Sequence, residues 1–431
     1  MEMARQVTRT LREHSYYPRI EEITAYPRGV EVVIEGHTSV NFSSNDYLDF
    51  AHEPRIVEAA ATALRRFGLG AGGSRLTAGT QEPHVRLEAR IAVFKGKEDA
   101  VVFSAGYLAN VGIIAALAGA TLKGVISMLN GGESSDTSLE VFSDQLVHAS
   151  IIDGIGLTGS KTSRAQFRVS RYEHRNMDRL EFALRRSTAA RKLIVTDGVF
   201  SLHGRLAPLR EIVALARKYE AEVYVDDAHA TGVFGENGRG TPELYGVEDG
   251  VDFLVGTLSK ALGGAGGFIA GDNDFCDYIR VAARTHMFQT SLPPAVAAGL
   301  VVAFDIIRDE PERRRTLLRN AARVREELGA LGFNIFGGDT QIIPVGFGSA
   351  QNAKAATHML LEEGIFAPCY YYPAVGPDEA MVRVNLTSGH TEEHLDRLLT
   401  ALARAGRALS VIPEGEPTST GDVQVVEALA R

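Results

Sequence analysis

Cysteine is scarce: the 431 residues contain only Cys276 and Cys369, too few for a disulfide framework or a thiolate metal site, and a reduced compartment fits them. Excess positive charge is missing as well. The formal net charge of -9 argues against nucleic acid or an anionic membrane as a main partner, while leaving room for a local basic pocket. No unbroken apolar run is long enough to span a bilayer. The longest apolar region, 105–129, is interrupted by Asn110, Lys123 and four glycines and reads as a buried helix and a strand. Met1-Glu2-Met3-Ala4-Arg5 leads into a charged segment without the apolar centre of a signal peptide, so a cytoplasmic protein is expected. Internal repeats and low-complexity tracts are also lacking. What is present, 45% apolar and 23% charged residues, is the make-up of a soluble globular enzyme with core enough for two or three lobes.

Taken in order, the chain starts with a polar helix at 4–14, a short strand at 30–34 and a strand from Val40 that runs into the polar turn Ser43-Ser44-Asn45-Asp46. Apolar residues at helical spacing mark helices at 56–67 and 82–94. Apolar strands at 100–103, 145–148, 193–196, 223–225, 253–255 and 267–270 then alternate with helices such as 108–118. Repeated strand–helix units call for an α/β fold, a mostly parallel sheet covered on both faces with ligands at the carboxyl ends of its strands. Pro293-Pro294 closes that pattern. Helices at 300–307 and 313–331 follow, then short strands near 341–345 and 381–386 with helices at 353–363 and 392–405, a small α+β domain. The reading therefore divides the chain into an N-terminal arm (1–45), a large domain (46–292), a small C-terminal domain (293–410) and a loose tail (411–431).

Chemistry concentrates at two strand ends. Val251 to Val255 stops at Gly256-Thr257-Leu258-Ser259-Lys260, followed by a Gly-rich turn, and Val223-Tyr224-Val225 delivers Asp226-Asp227-Ala228-His229. A lysine at the end of a buried strand is costly unless neutralised or bonded. Pyridoxal phosphate needs all three groups: a lysine for its Schiff base, a carboxylate for its ring nitrogen and a partner for its ring oxygen. Lys260, Asp226 and His229 are the candidates, with Thr257 beside the phosphate. The bland alternative is a strand-end lysine in a loop and an aspartate pair capping a helix.

Gly68-Leu69-Gly70-Ala71-Gly72-Gly73-Ser74-Arg75 matches G-x-G-x-x-G, but a helix precedes it where a dinucleotide site requires a strand. An open loop beside a ligand is expected instead, with Ser74 and Arg75 within reach of it. Ser104-Ala105-Gly106-Tyr107 joins a strand to a helix N-terminus, a ready phosphate seat because the first backbone N–H groups there lack partners.

Several stretches together resemble the α-oxoamine synthase family of pyridoxal-phosphate enzymes: 41–48, Gly72-Gly73-Ser74-Arg75, His148-Ala149-Ser150, Asp197-Gly198-Val199-Phe200-Ser201, Asp226-Asp227-Ala228-His229 and Gly256-Thr257-Leu258-Ser259-Lys260. The resemblance runs from about Asn41 to Leu402. It implies the aspartate-aminotransferase-like, fold-type I architecture and a homodimer with a shared active site. The implied reaction is condensation of an amino acid with an acyl thioester and loss of carbon dioxide. By the same resemblance His148 stacks on the cofactor ring, Asp226 meets the ring nitrogen, His229 the ring oxygen, and Lys260 forms the Schiff base. Gly106, Tyr107, Ser201 and Thr257 fall among the cofactor contacts, and Thr290 is where a phosphate contact from a partner subunit sits. Asn45, Ser74 and Arg383 fall on the substrate side, Arg383 at the amino-acid carboxylate. No metal is implied.

Departures are visible too. Asp197 stands where Glu is usual, His203 where an acid is common, Ser388-Gly389-His390 in place of Ala-Ala-His, and a polar insertion spans 128–140. The small Ser74 points to alanine, glycine or serine as amino-acid substrate. A coenzyme A thioester, an acyl-carrier-protein thioester and a secondary-metabolite acyl chain all stay open as donors. Rival readings are another fold-type I reaction, such as an aminotransferase or an aldolase-like lyase, and a non-catalytic scaffold that has kept the fold.

Overall fold

The computed structural model describes residues 1–13, 17, 20–119, 138–160, 162–163 and 166–414. Helix α1 (Glu2–Glu13) comes first, followed by the strands β1 (Ile23–Arg28), β2 (Glu31–Ile34) and β3 (His37–Asn41) and the helices α2 (Pro54–Phe67) and α3 (Glu82–Lys95). The next stretch holds β4 (Asp99–Phe103), α4 (Gly106–Leu117), β5 (Leu139–Asp144), α5 (Ala149–Gly159), β6 (Phe167–Tyr172), α6 (Met177–Arg186), β7 (Arg191–Asp197) and α7 (Leu209–Tyr219). It continues with β8 (Glu222–Asp226), α8 (Thr241–Tyr245), β9 (Phe253–Thr257), β10 (Gly267–Gly271), α9 (Asn273–Ala282) and α10 (Arg284–Met287). The C-terminal part has α11 (Pro294–Asp309), α12 (Glu312–Ala330), β11 (Ile342–Gly348), α13 (Ala350–Glu362), β12 (Ile365–Phe366), β13 (Cys369–Tyr370), β14 (Ala380–Asn385) and α14 (Glu392–Ala408).

Seven strands form the main sheet in the order β4-β10-β9-β8-β7-β5-β6. β10 runs antiparallel to both its neighbours, and the pairings from β9 through to β6 are parallel. Helices cover both faces, so the inner strands are apolar throughout rather than alternating. Along β8, Tyr224 packs into a cluster with Ile113, Ile151 and Ile279 on one face. Val223 and Val225 pack on the other face, with Leu180, Ile212 and Leu254. A third cluster joins the small three-stranded sheet β11-β14-β13 to α11, α12 and α14. β12 pairs parallel with β3, so residues 37–41 belong to a four-stranded sheet that includes a C-terminal strand. No helix among the described residues is long and apolar enough to cross a membrane.

Three expectations need correction. The strand placed at 145–148 is a turn: Asp144 Oδ1 accepts the Leu146 N–H at 2.8 Å, ending the strand in an Asx turn. The true strand, β5, starts inside the stretch read as a polar insertion; of that stretch, 128–137 lies outside the described residues. Leu139 and Glu140 belong to β5, and the buried Glu140 accepts hydrogen bonds from the Ser170 and Ser187 hydroxyls. Pro293 and Pro294 open α11 rather than only closing what precedes, since Pro294 takes the first helical position, where a missing N–H costs nothing. Within the arm Val40 and Phe42 are fully buried. His14, the end of the expected first helix, and 415–431 of the expected tail lie outside the described residues.

Candidate active site

The carboxyl ends of β7, β8 and β9 and the N-termini of α4 and α5 surround a cavity of about 290 Å³ lined by Lys260, Asp226, His229, His148, Gly106 and Thr257, among others. All six were expected from the sequence. A wider groove of about 710 Å³ runs between α2, α3 and α11, but the chemistry-bearing groups converge on the smaller cavity and that is where the site lies.

Lys260 follows β9 in a tight turn closed by hydrogen bonds from Gly263 N–H to Lys260 O (2.8 Å) and from Leu258 N–H to Gly266 O (3.0 Å). Gly263 has φ +67° and is pressed so close that a Cβ there would lie 2.6 Å from Ala51 N, which explains a glycine at that position. Burial pushes the Lys260 ammonium down to about 8, with Asp226 and Asp197 pulling the other way.

Asp226 ends β8. Its Oδ2 accepts from Asn110 Nδ2 at 2.6 Å and its Oδ1 from the Ala228 N–H at 3.1 Å. Asn110, on α4, is itself fixed: the Tyr224 hydroxyl donates to its Oδ1 at 2.5 Å, and its amide nitrogen also donates to Ser150 at 2.8 Å. His229 Nδ1 lies 2.6 Å from the Tyr47 hydroxyl, and its carbonyl accepts from Gln341 at 2.8 Å. Burial, then the Lys260 and Arg383 charges, hold His229 well below the ordinary histidine range. Burial also pushes the Tyr47 phenol up to about 12.

His148 caps α5. The Ser150 N–H donates to its Nδ1 at 3.3 Å, so that nitrogen is the acceptor and the neutral ring carries its proton on Nε2. Burial lowers its pKa, against the attraction of Asp226. The His148 N–H donates to Asp197 Oδ1 at 3.2 Å. Asp197 and Asp226 are directly paired residues of β7 and β8. Burial, and then the Asp226 charge, raise the Asp197 carboxyl well above the usual range.

At the other end of the cavity, Gly106 opens α4 with its first N–H groups free of helical partners. A Cβ on Gly106 would sit 3.0 Å from Thr257 Oγ1, so a side chain there would crowd the hydroxyl; Thr257 Oγ1 in turn lies 2.8 Å from Ser259 Oγ. Tyr107 lines the same end and donates its hydroxyl to Asp153.

The other expected residues are placed differently. Arg383, on β14, is buried; its Nη2 reaches Asn45 Oδ1 at 3.4 Å, Asn385 donates to the same oxygen at 3.1 Å, and Arg383 Nε has no hydrogen bond among the described residues. Asn45 also accepts from the Tyr47 hydroxyl at 3.2 Å, which ties this pair to His229. Ser74 and Thr290 do not line the Lys260 cavity: they form a β-bridge with each other, and Ser291 N–H donates to Gly73 O at 3.0 Å. Arg75, expected to reach a ligand, is held two-pronged by Glu88 at 2.7 and 2.8 Å. Ser201 sits in the turn after β7 and is also absent from the lining, whereas Asp197 and Val199 of the same segment contribute to it. Sequence reasoning missed Asn110, Ser150, Ser259 and Tyr47 as site residues. Ser150 and Tyr47 lie inside quoted motifs; Asn110 sits one turn along the helix from the phosphate seat.

These residues fit pyridoxal phosphate. A buried carboxylate held by two donors and a half-buried lysine line one small cavity, and a glycine-floored helix N-terminus with two hydroxyls supplies an anion seat. Residues 37–402 match the family described as "Aminotransferase class I and II". The 8-amino-7-oxononanoate synthase of Geobacter sulfurreducens is 44% identical over 406 residues, 93% of this chain and 97% of the relative. That of Lysinibacillus sphaericus is 41% identical over 383 residues, 89% and 92% of the two. Among solved structures, the serine palmitoyltransferase of Sphingomonas wittichii superposes with a TM-score of 0.85 at 31% identity, covering 96% of this chain and 98% of the other. The chain belongs to the class I and II aminotransferase family, with its fold-type I architecture. Within that family it is an α-oxoamine synthase, a pyridoxal-phosphate-dependent C-acyltransferase that condenses an amino acid with an acyl thioester as carbon dioxide leaves.

Proposed function

We propose that this enzyme joins alanine to the thioester of a seven-carbon acyl chain ending in a carboxylate, giving 8-amino-7-oxononanoate, carbon dioxide and free thiol. Near-full-length identity with synthases of that product carries the reading. The skeleton of the product says which bond forms. An amine on carbon eight beside a ketone on carbon seven results when the Cα of alanine, losing its carboxylate, is acylated by a seven-carbon group.

Pyridoxal phosphate, when bound, supplies the carbonyl that takes up an amine and the ring that spreads the electron pair left on Cα. Lys260 would hold it through Nζ and, as a free amine, would take the Cα proton of the bound amino acid. With a pKa near 8, about one such amine in ten is neutral at pH 7, against well under one in a thousand for an ordinary lysine. Asp226, aimed by Asn110, would face the ring nitrogen, and His229, aimed by Tyr47, would face the ring oxygen. His148 presents Nε2–H to the acyl oxygen as charge builds there. Gly106, Tyr107, Thr257 and Ser259 would hold the phosphate.

Arg383 matches the amino-acid carboxylate, its buried and unpartnered Nε supplying one prong of a fork. The active unit in this reading is a homodimer. Ser74 and Thr290, bridged to each other and outside the cavity of their own chain, serve the cavity of a second copy. The two free cysteines accord with a cytoplasmic setting. The test is a matrix of alanine, glycine and serine against pimeloyl and palmitoyl thioesters, read by thiol release and product mass. Alanine with the pimeloyl donor is expected to give the highest kcat/KM, and strict preference for serine with the palmitoyl donor would reject the assignment.

A further inference from the structure

The chain is acidic overall, yet exposed arginines gather around the β6 edge of the main sheet. Arg171 on the edge strand β6, Arg175 just beyond it, Arg179 in the first turn of α6 and Arg210 in the first turn of α7 are all exposed. Some arginines elsewhere sit against carboxylates, as Arg55, Arg280, Arg313 and Arg323 do. Among the described residues these four have no such partner within ion-pair range, although Glu173, Asp178 and Glu211 are interspersed. Glu173 is itself engaged by Asn176 at 2.8 Å.

Arg175 and Arg210 meet at Tyr245. Arg210 lies 5.9 Å from the Tyr245 ring centroid and donates to the Tyr245 carbonyl at 2.9 Å, and the Arg175 charge acts on the same tyrosine. Arg175 holds a left-handed backbone, φ 58°, with its N–H donated to Asp144 Oδ2 at 2.9 Å, so the loop is pinned to the end of β5. One exposed aromatic ring, Phe182, is set among this charge, with Arg185 and Arg186 within 5.9 and 5.4 Å. On α6, Phe182 shares a face with Arg179.

Charge on an edge strand guards against unwanted strand pairing, and that would account for Arg171. It does not account for Arg175, Arg179 and Arg210, which lie off the edge. From the end of β6 to that of β8 the sheet crosses β5 and β7, three strand spacings or about 14 Å, a span that an extended phosphopantetheine arm covers. None of the four arginines lines the Lys260 cavity or the groove between α2, α3 and α11.

Resting on the condensation reading above, we infer that this basic edge docks the carrier of the acyl donor, a small acidic protein bearing the thioester on its phosphopantetheine arm. Arginine-rich charge with one aromatic anchor suits a transient, electrostatically steered partner.

The triple variant Arg171→Glu/Arg175→Glu/Arg179→Glu, compared with the native enzyme on pimeloyl carried by an acyl-carrier protein and on pimeloyl-coenzyme A, tests this. The carrier-borne donor should show a KM raised about tenfold or more, with kcat and the coenzyme A KM within about twofold. Raising salt from about 50 to about 200 mM should weaken the native enzyme's use of the carrier-borne donor alone. Equal KM rises for both donors would overturn the inference in favour of coenzyme phosphates, and no rise for either would overturn it outright. If the native enzyme turns over only the coenzyme donor, the docking claim falls and the condensation reading stands. If it turns over neither, the condensation reading falls. Docking is then decided by calorimetric binding of the phosphopantetheinylated carrier, which the triple variant must weaken about tenfold for the claim to survive.

Discussion

Asn110 is the residue on which the orientation of Asp226 depends, and replacing it separates charge from shape. Its amide donates to the Asp226 carboxylate at 2.6 Å while its carbonyl accepts from Tyr224 at 2.5 Å, both inside the buried sheet face. Asn110→Ala removes one charge-assisted bond, roughly 1.5–3 kcal/mol, and two neutral bonds, to Tyr224 and Ser150, roughly 1 kcal/mol each. If about half of that is felt at the ring nitrogen, kcat falls about tenfold to a hundredfold. Asn110→Asp keeps the shape but turns a donor into a carboxylate beside Asp226 and near Asp197, so it should be worse than alanine. The assay is kcat together with the cofactor dissociation constant read by absorbance after dilution. Alanine and aspartate variants both within twofold of native would refute the role. An alanine variant worse than the aspartate one would show that Asn110 fills space rather than aiming charge.

Other outcomes follow from the same geometry. Gly106→Ala would bring a Cβ to 3.0 Å from Thr257 Oγ1 and should weaken cofactor binding by about tenfold with little loss of fold, checked by absorbance titration. Gly263→Ala combines φ +67° with a 2.6 Å approach to backbone; it should cost roughly 1–3 kcal/mol in denaturant unfolding and lower Lys260 reactivity with it. Capture of free cofactor by the cofactor-free chain requires the neutral Lys260 amine. Its pKa is lowered to about 8, so the capture rate should rise about tenfold from pH 7 to 9 and then level off. An ordinary lysine would keep rising through pH 9, and stopped-flow absorbance distinguishes the two.

How much of this was legible depended on whether chemistry lay next to an apolar run. Lys260, Asp226 and His229 were readable because each follows a strand directly, and strand ends are where an α/β sheet presents its ligands. β5 was misplaced because Glu140 looks like loop; its burial is possible only through the Ser170 and Ser187 hydroxyls, 30 and 47 residues away. β6 escaped notice because an edge strand need not be apolar on both faces. Asn110 could not be found from spacing, since its partner Asp226 is 116 residues away. The bridge between Ser74 and Thr290 is a similar case: both were expected near substrate or phosphate, and only the fold shows that they pair with each other.

The central claim is that Lys260 is the amine that holds the cofactor in the cavity shared with Asp226, His148 and His229. Borohydride reduction of the cofactor-loaded enzyme, followed by digestion and mass spectrometry, tests it most directly. The account predicts one pyridoxyl-modified peptide, containing residue 260. A label on the buried Lys95, or no stable label at all, would contradict it.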